Sequence, residues 1–408
     1  MKPLPHHLAT AAASVEGQRL AVLDVLRGVA VLGILLMNIQ SFGRFSSEYL
    51  NPKALGEPPP LDWAVWIVSH VVADEKFITM LTVLFGAGIV LMARNAKGSA
   101  EDFERRFRRR MAWLFVFGLV HGLFVWPGDI LAAYAVCGVI AVQFRHRPAD
   151  TLVRLGLLLY AGGTVLWLAF SAGLIFLLPT EWLQFLISQY WTPTAEIVYA
   201  ELNRLTFGWL ASTGERAVNA LGAQAWMFAS DRGWRMLAMM FLGMALMQVG
   251  FISGQWPLRG YCRVAVFGLA LGIPVVLAGF LFNELVVDWD FRYSMFLGRI
   301  ANHWASIAIA LAWIAIVILL VRHSVLGQAM HALEAVGRLA MTNYLGQSIL
   351  CAGIFYGVGL GLFSRLGYAQ LLGVVVLVWA VQVGFSLLWR RFHGVGPFEM
   401  LWRRLASG

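Results

Sequence analysis

The sequence predicts an all-α polytopic membrane protein of about ten transmembrane helices, with the N- and C-termini in the cytoplasm. Three observations carry this. The 408 residues are 60% hydrophobic and only 13% charged, with a mean hydropathy of +0.72, well outside the range of soluble domains. Apolar stretches close to the roughly 20 residues that cross a bilayer recur along the chain. Arginine and lysine collect in alternate connections between those stretches, the asymmetry that orients membrane helices.

The first span is expected at 20–42. The segment before it, 1–19, has Lys2 and Arg19 as its cations and lacks the order of a cleaved signal peptide, so the first span reads as a retained signal anchor. Further spans are expected at 76–93, 111–127, 130–144, 152–178, 235–251, 262–283, 303–321, 339–362 and 368–389. Between the second and third, Arg94, Lys97, Arg105, Arg106, Arg108, Arg109 and Arg110 outnumber Glu101, Asp102 and Glu104, which places that loop in the cytoplasm. Counting onward, Arg145, Arg147 and Arg154, then Arg259 and Arg263, then Arg322, His323 and Arg338, and the tail with Arg390, Arg391, Arg403 and Arg404 fall on the same side. Acids such as Glu48, Glu57, Glu181, Glu196, Glu201, Asp231 and Glu284 fall on the other.

This divides the chain into a cytoplasmic segment 1–19, an N-terminal bundle 20–178, an extracytoplasmic amphipathic segment 179–234, a C-terminal bundle 235–389 and a basic tail 390–408 expected to lie on the anionic inner leaflet. Residues 61–74 are amphipathic and too short to span, and are expected to form an interfacial helix. Residues 181–229 mix Trp, Phe, Leu, Glu and Arg at near-helical spacing. They read either as one or two surface helices covering an outward-facing site or as an irregular loop rich in interfacial aromatics.

A net charge of +9 would suggest nucleic acid in a soluble chain. Here the cations sit beside apolar spans as orientation signals, so no nucleic-acid partner is expected, and membrane lipids are. Cys137, Cys262 and Cys351 have no paired spacing, and no GxSxG, HExxH or phosphate-loop motif occurs. No metal and no tightly bound cofactor is expected.

Ionisable groups in hydrocarbon cost from about 2.5 to more than 10 kcal/mol, so those inside spans are the functional candidates. The first span contains Asp24, Arg27 and Asn38. At about 100° per residue they share one face, with Asn38 about 21 Å beyond Asp24. The face reads either as a polar seam of a site or as an ion pair near the interface with Asn38 as helix glue. His121, inside the third span, suits a general base or an interhelical hydrogen bond. Pro127-Gly128 predicts a tight turn, after which Asp129 can cap the fourth helix and orient His121. Tyr134, Lys76, Asn343 and Gln347 complete the candidate substrate- or donor-binding set with Asp24 and Arg27. Asp74, Glu75 and Lys76 also suit the electrostatics of a helix start, and Asn343 and Gln347, four apart, also suit interhelical packing.

The segments LDVLRGVAVLGILLMNI at 23–39, EKFITMLTVLFGAGIVLM at 75–92, HGLFVWPGDILAAYAVCG at 121–138 and GRLAMTNYLGQSILCAGIFYGVGLGLF at 337–363 resemble the YeiB-like bacterial inner-membrane proteins, a family built around domain of unknown function 418. The LDxxRG opening, with an Asn fourteen residues after its Asp, is more distantly similar to the heparan-glucosaminide acetyltransferases and related transmembrane acyltransferases. That resemblance implies transfer of an acyl group from cytosolic acyl-CoA, as co-substrate, to an acceptor across the membrane. It makes Asp24 and Arg27 a motif pair and Asn38 an active-site polar group. The acetyltransferases carry a catalytic His about eleven residues beyond that Asn, and here the place is near Tyr49. His121 then takes the base role from another helix, or the chemistry has changed.

The reading that follows is a membrane acyltransferase with His121, Asp129 and Asn38 as catalytic residues. It uses acyl-CoA or a lipid-linked donor and modifies an extracytoplasmic glycan, lipid or envelope component in the bacterial inner membrane. A transporter or flippase and a non-catalytic scaffold are the alternatives. The oligomeric state is left open by the sequence.

Overall fold

The computed structural model describes residues 6–209, 211, 213–325 and 327–407, and among these there are eighteen α-helices and no strand. The first half comprises α1 (His6–Gly43), α2 (Ser46–Leu50), α3 (Pro60–Val72), α4 (Lys76–Arg94), α5 (Ala100–Phe124), α6 (Leu131–Ala141) and α7 (Ala149–Phe176). Three shorter amphipathic helices follow, α8 (Thr180–Tyr190), α9 (Ala195–Thr206) and α10 (Thr213–Ala229). The second half comprises α11 (Asp231–Gln248), α12 (Leu258–Leu281), α13 (Phe291–Ser294), α14 (Leu297–Arg322), α15 (Gly327–Arg338), α16 (Ala340–Phe355), α17 (Tyr368–Arg390) and α18 (Pro397–Ser407).

Each predicted span falls on a helix. Among the described residues six segments are long and apolar enough to cross a membrane: Ala21–Gly43, Pro60–Arg94, Ala149–Phe176, Leu258–Val286, Phe291–Arg322 and Tyr368–Arg390. The helices over the other predicted spans, α5, α6, α11 and α16, are shorter or carry charge at one end. Burial separates interior from periphery. The apolar stretch of α1 is 72% buried, whereas that of α7 is 17% and that of α12 is 22%. Leu157, Leu158, Val266 and Phe267 accordingly point outward, as side chains facing lipid do.

Close helix approach depends on small residues. At the crossing of α4 with α11, a Cβ on Gly86 would lie 2.1 Å from the Met240 carbonyl oxygen and one on Gly243 would lie 1.9 Å from that of Val83. Only hydrogen fits at these two positions, which lets the backbones touch.

The basic connections meet at one end of the bundle. Arg145 pairs with Glu104 at 2.8 Å, Gln248 reaches the Arg147 carbonyl, Arg322 that of Trp256, and Trp402 that of Arg110. α18 is more than a surface helix here. Glu399 accepts from the Met341 and Thr342 amides at 2.7 and 3.1 Å, capping the first turn of α16. The opposite end is tied by Lys53 to Glu284 at 2.8 Å, Ser46 to Glu201, and Asn51 to the Trp191 carbonyl.

Two local features differ from the simple zigzag. Helix α3 occupies the segment expected to be interfacial and leads into α4 across a break at Ala73–Glu75, with Glu75 at φ 65. Residues 181–229 form three helices, and α9 and α10 reach inward to line a cavity.

Candidate functional site

A cavity of about 520 Å³ opens at the end opposite the basic connections. It is walled by the last turns of α1, the start of α4, the α5–α6 connection, α9, α10, and the first turns of α11 and α14. Each contributes polar groups because each begins or ends there. Helix termini leave backbone groups unpaired, and charged residues near them keep access to water.

Three layers of chemistry surround this space. The first is on α1 and α2. Asn38 lines the cavity, and among the described residues its side-chain amide has no hydrogen-bond partner. Tyr49 also lines it, eleven positions on. Burial pushes the Tyr49 phenol above its ordinary range, so it keeps its proton and can donate but not act as base.

The second layer is a charged network at the break between α3 and α4. Arg235 on α11 donates to the Glu75 carboxylate, to Thr79 Oγ1 at 2.6 Å and to Ser306 Oγ at 2.8 Å. Arg299 stands 3.8 Å from the same carboxylate. His303 Nδ1 lies 3.3 Å from both Arg235 and Asp231 Oδ2, so it either accepts from the first or donates to the second. Asp74 is held by His70 at 3.0 Å and by Asn302 at 2.8 Å.

The third layer lies behind the α5–α6 turn. His121 Nδ1 is 2.8 Å from Asp129 Oδ1, with side-chain exposures of 3% and 0%. Asp129 Oδ2 accepts from the Ala132 amide at 3.0 Å, the cap expected for α6. A carboxylate on Nδ1 selects the tautomer with the lone pair on Nε2, and that atom is buried without a partner among the described residues. His121 does not itself line the cavity. Its neighbours Gly128, Ile130 and Tyr344 do, and the Tyr344 ring lies 5.4 Å from the imidazole.

The structure therefore brings together Asn38 at the cavity and His121 with Asp129 one side chain behind its wall. The other candidates lie elsewhere. Asp24 and Arg27 pair at 2.8 Å near the basic end, with Arg338 at 3.3 Å from Asp24. Lys76 is fully buried and points away from the cavity, donating to the His70 carbonyl at 2.7 Å and to Asn302. Tyr134 shares a 2.6 Å hydrogen bond with Thr82. Asn343 and Gln347 bond to Ser386 and Gln382 on α17, the interhelical packing that was the other reading of their spacing. Among the described residues no group of His, Cys, Asp and Glu has the makings of a metal site.

The residues that sequence reasoning passed over are Arg204, Arg216, Arg232, Arg235 and Arg299, all of which line the cavity, and Glu75, read only as a helix-start acid, lines it too. A signal was present. These arginines fall on the side that loop charge assigns to acids, against the bias that orients the other cations.

Comparison with known proteins places the chain in a family. A family model described as "Protein of unknown function (DUF418)" matches residues 246–408. The chain is similar to the "Uncharacterized protein YeiB" of Escherichia coli strain K12, 33% identical over 390 residues, covering 95% of this chain and 96% of that one. It is also similar to the "Uncharacterized protein YxaH" of Bacillus subtilis strain 168, 29% identical over 417 residues and covering 96% and 94%. With one-third identity along nearly the whole of both chains, the protein belongs to the YeiB-like DUF418 family.

Proposed function

We propose that the protein is an acyltransferase of the bacterial inner membrane, using acyl-CoA or a lipid-linked acyl donor and modifying an extracytoplasmic glycan, lipid or envelope acceptor. The observation that carries the reading is the buried His121–Asp129 pair with an unpartnered Nε2 behind the wall of a polar cavity. In this reading Nε2 takes the proton of an acceptor hydroxyl or amine as that group attacks the acyl carbonyl carbon. Asp129 stabilises the imidazolium that forms. The Asn38 amide donates to the developing oxyanion, and the thiolate of CoA leaves with the electron pair. Rotation of Tyr344 gives the acceptor access to Nε2. Arg27, held by Asp24 at the basic end, meets donor phosphate on the cytoplasmic side.

The test is incorporation of label from radiolabelled acetyl-CoA into membrane and envelope fractions. His121→Ala is expected to lower it by about 10²-fold or more while the protein stays folded in the membrane. Asp129→Asn is expected to lower it similarly through loss of the tautomer. Full incorporation by the His121 variant removes His121 from the mechanism.

A second reading, coupled transport, draws on the interrupted α3–α4 span with Glu75 at its break beside the cavity. Liposomes holding purified protein separate the two. Substrate movement without covalent change supports transport.

A further inference from the structure

The lining of the cavity is unequal in charge. Five arginines, Arg204, Arg216, Arg232, Arg235 and Arg299, face three acids, Asp74, Glu75 and Glu201. All three acids are engaged, as are Arg235 and Arg216. Glu75 is held by Arg235, Asp74 by His70 and Asn302, and Glu201 by the Ser46 amide and hydroxyl. Burial raises the carboxyl of Glu201 on α9 above its ordinary range. Arg232 is exposed to the space, and among the described residues its guanidinium makes no hydrogen bond or ion pair. Arg299 has Glu75 at a loose 3.8 Å and is 31% exposed. Both therefore hold donors in reserve at the cavity.

Beside these groups the lining is also apolar. Ile34, Met37, Ile78, Met227, Met236 and Met239 supply it with flexible apolar chains and no competing charge. The volume is within the roughly 300–1,000 Å³ of ligand pockets. The lining thus offers both planar guanidinium forks and an adaptable apolar surface.

We propose that this cavity binds an amphiphilic anion, a phosphate or carboxylate headgroup on an alkyl chain, with Arg232 and Arg299 on the headgroup and the methionine-rich wall on the chain. Guanidinium matches both oxyanions bidentately, and in a space partly shielded from water such contacts gain strength. The inference rests on the acyltransferase reading only in making this anion the acceptor, in which case it also carries a hydroxyl or amine to be acylated. Occupancy of the cavity stands without it.

The test is binding to the full chain in phosphatidylcholine nanodiscs. The probes are short-chain phosphatidic acid, decanoate, inorganic phosphate and uncharged short-chain diacylglycerol, each titrated against the protein's tryptophan fluorescence. Phosphatidic acid or decanoate is expected to bind at least tenfold more tightly than either diacylglycerol or inorganic phosphate. Arg232→Gln with Arg299→Gln is expected to weaken that binding at least tenfold. Arg232→Lys, which keeps the charge, is expected to lose less and reports whether a loss comes from charge or from misfolding. Equal affinity for diacylglycerol overturns the headgroup assignment. Tight binding of inorganic phosphate alone overturns the chain assignment, and unchanged affinity in the double glutamine variant overturns the site. Binding by His121→Ala protein at unchanged affinity, with no acyl transfer by any form, refutes the enzyme and leaves the anion site standing. Acyl transfer without anion binding does the reverse.

Discussion

Arg235 is the strongest single test of how the cavity end is built. Arg235→Met keeps the apolar stem and removes the guanidinium, leaving Glu75 without its hydrogen-bonded cation. Breaking one side of a buried ion pair costs about 3–5 kcal/mol, because the remaining charge is left unpaired. Two features put this case at the lower end. The Glu75 side chain keeps 20% exposure toward the cavity, and Arg299 remains 3.8 Å away. The hydroxyls released by the substitution add little, since Thr79 Oγ1 still donates to the Glu75 carbonyl and Ser306 Oγ to that of His303. The expected loss is about 3 kcal/mol by equilibrium unfolding in mixed detergent micelles. Glu75→Gln combined with Arg235→Met removes the orphan charge and is expected to regain about 1–2 kcal/mol. A single variant within about 1 kcal/mol of the native protein, or a double variant less stable than the single, refutes the argument.

Three further outcomes follow from the same geometry. Gly243→Val places carbon where the Val83 carbonyl now sits 1.9 Å from any Cβ, so α4 and α11 must separate. The expected cost is about 3 kcal/mol or more, read as loss of monodisperse protein on size exclusion, and a normal yield and elution profile contradicts it. Glu399→Ala uncaps the Met341 and Thr342 amides, and is expected to cost about 1–2 kcal/mol and to speed hydrogen exchange across 397–407. Unchanged exchange there means that α18 is held by its apolar contacts. For Glu201 the folded carboxyl is raised, so the folded state favours the protonated form and the native protein loses stability as pH rises through the folded pKa. Glu201→Gln is therefore expected to be the more stable form at pH 8 in thermal unfolding, with the difference narrowing as pH falls through the raised folded pKa and closed below about 4.3. A difference that widens on acidification reverses the assignment.

Some of this was legible in the chain because it rests on local or additive properties. Hydropathy sums along a helix, so each predicted span falls on one, and a break in charge pattern marks a connection wherever it folds. The Pro127-Gly128 turn and the Asp129 cap depend on residues a few positions apart, and the cap is present. The His121–Asp129 contact spans eight residues across that turn, and proximity along the chain brought it within reach of sequence reasoning.

The rest depended on which helix lies beside which. Glu75 reads as a helix-start acid until Arg235, 160 residues away, is set against it. Lys76 reads as a donor-binding candidate until Asn302 arrives from α14. The sequence by itself determined an all-helical membrane chain, its apolar segments and the polar exceptions within them, because transfer free energy is a property of each residue. Only the tertiary structure decided which exceptions meet. It sorted Asn343 and Gln347 into packing and Asp24 and Arg27 to the far end, and it gathered five arginines around one cavity, because a buried charge is defined by partners that spacing along one helix cannot supply.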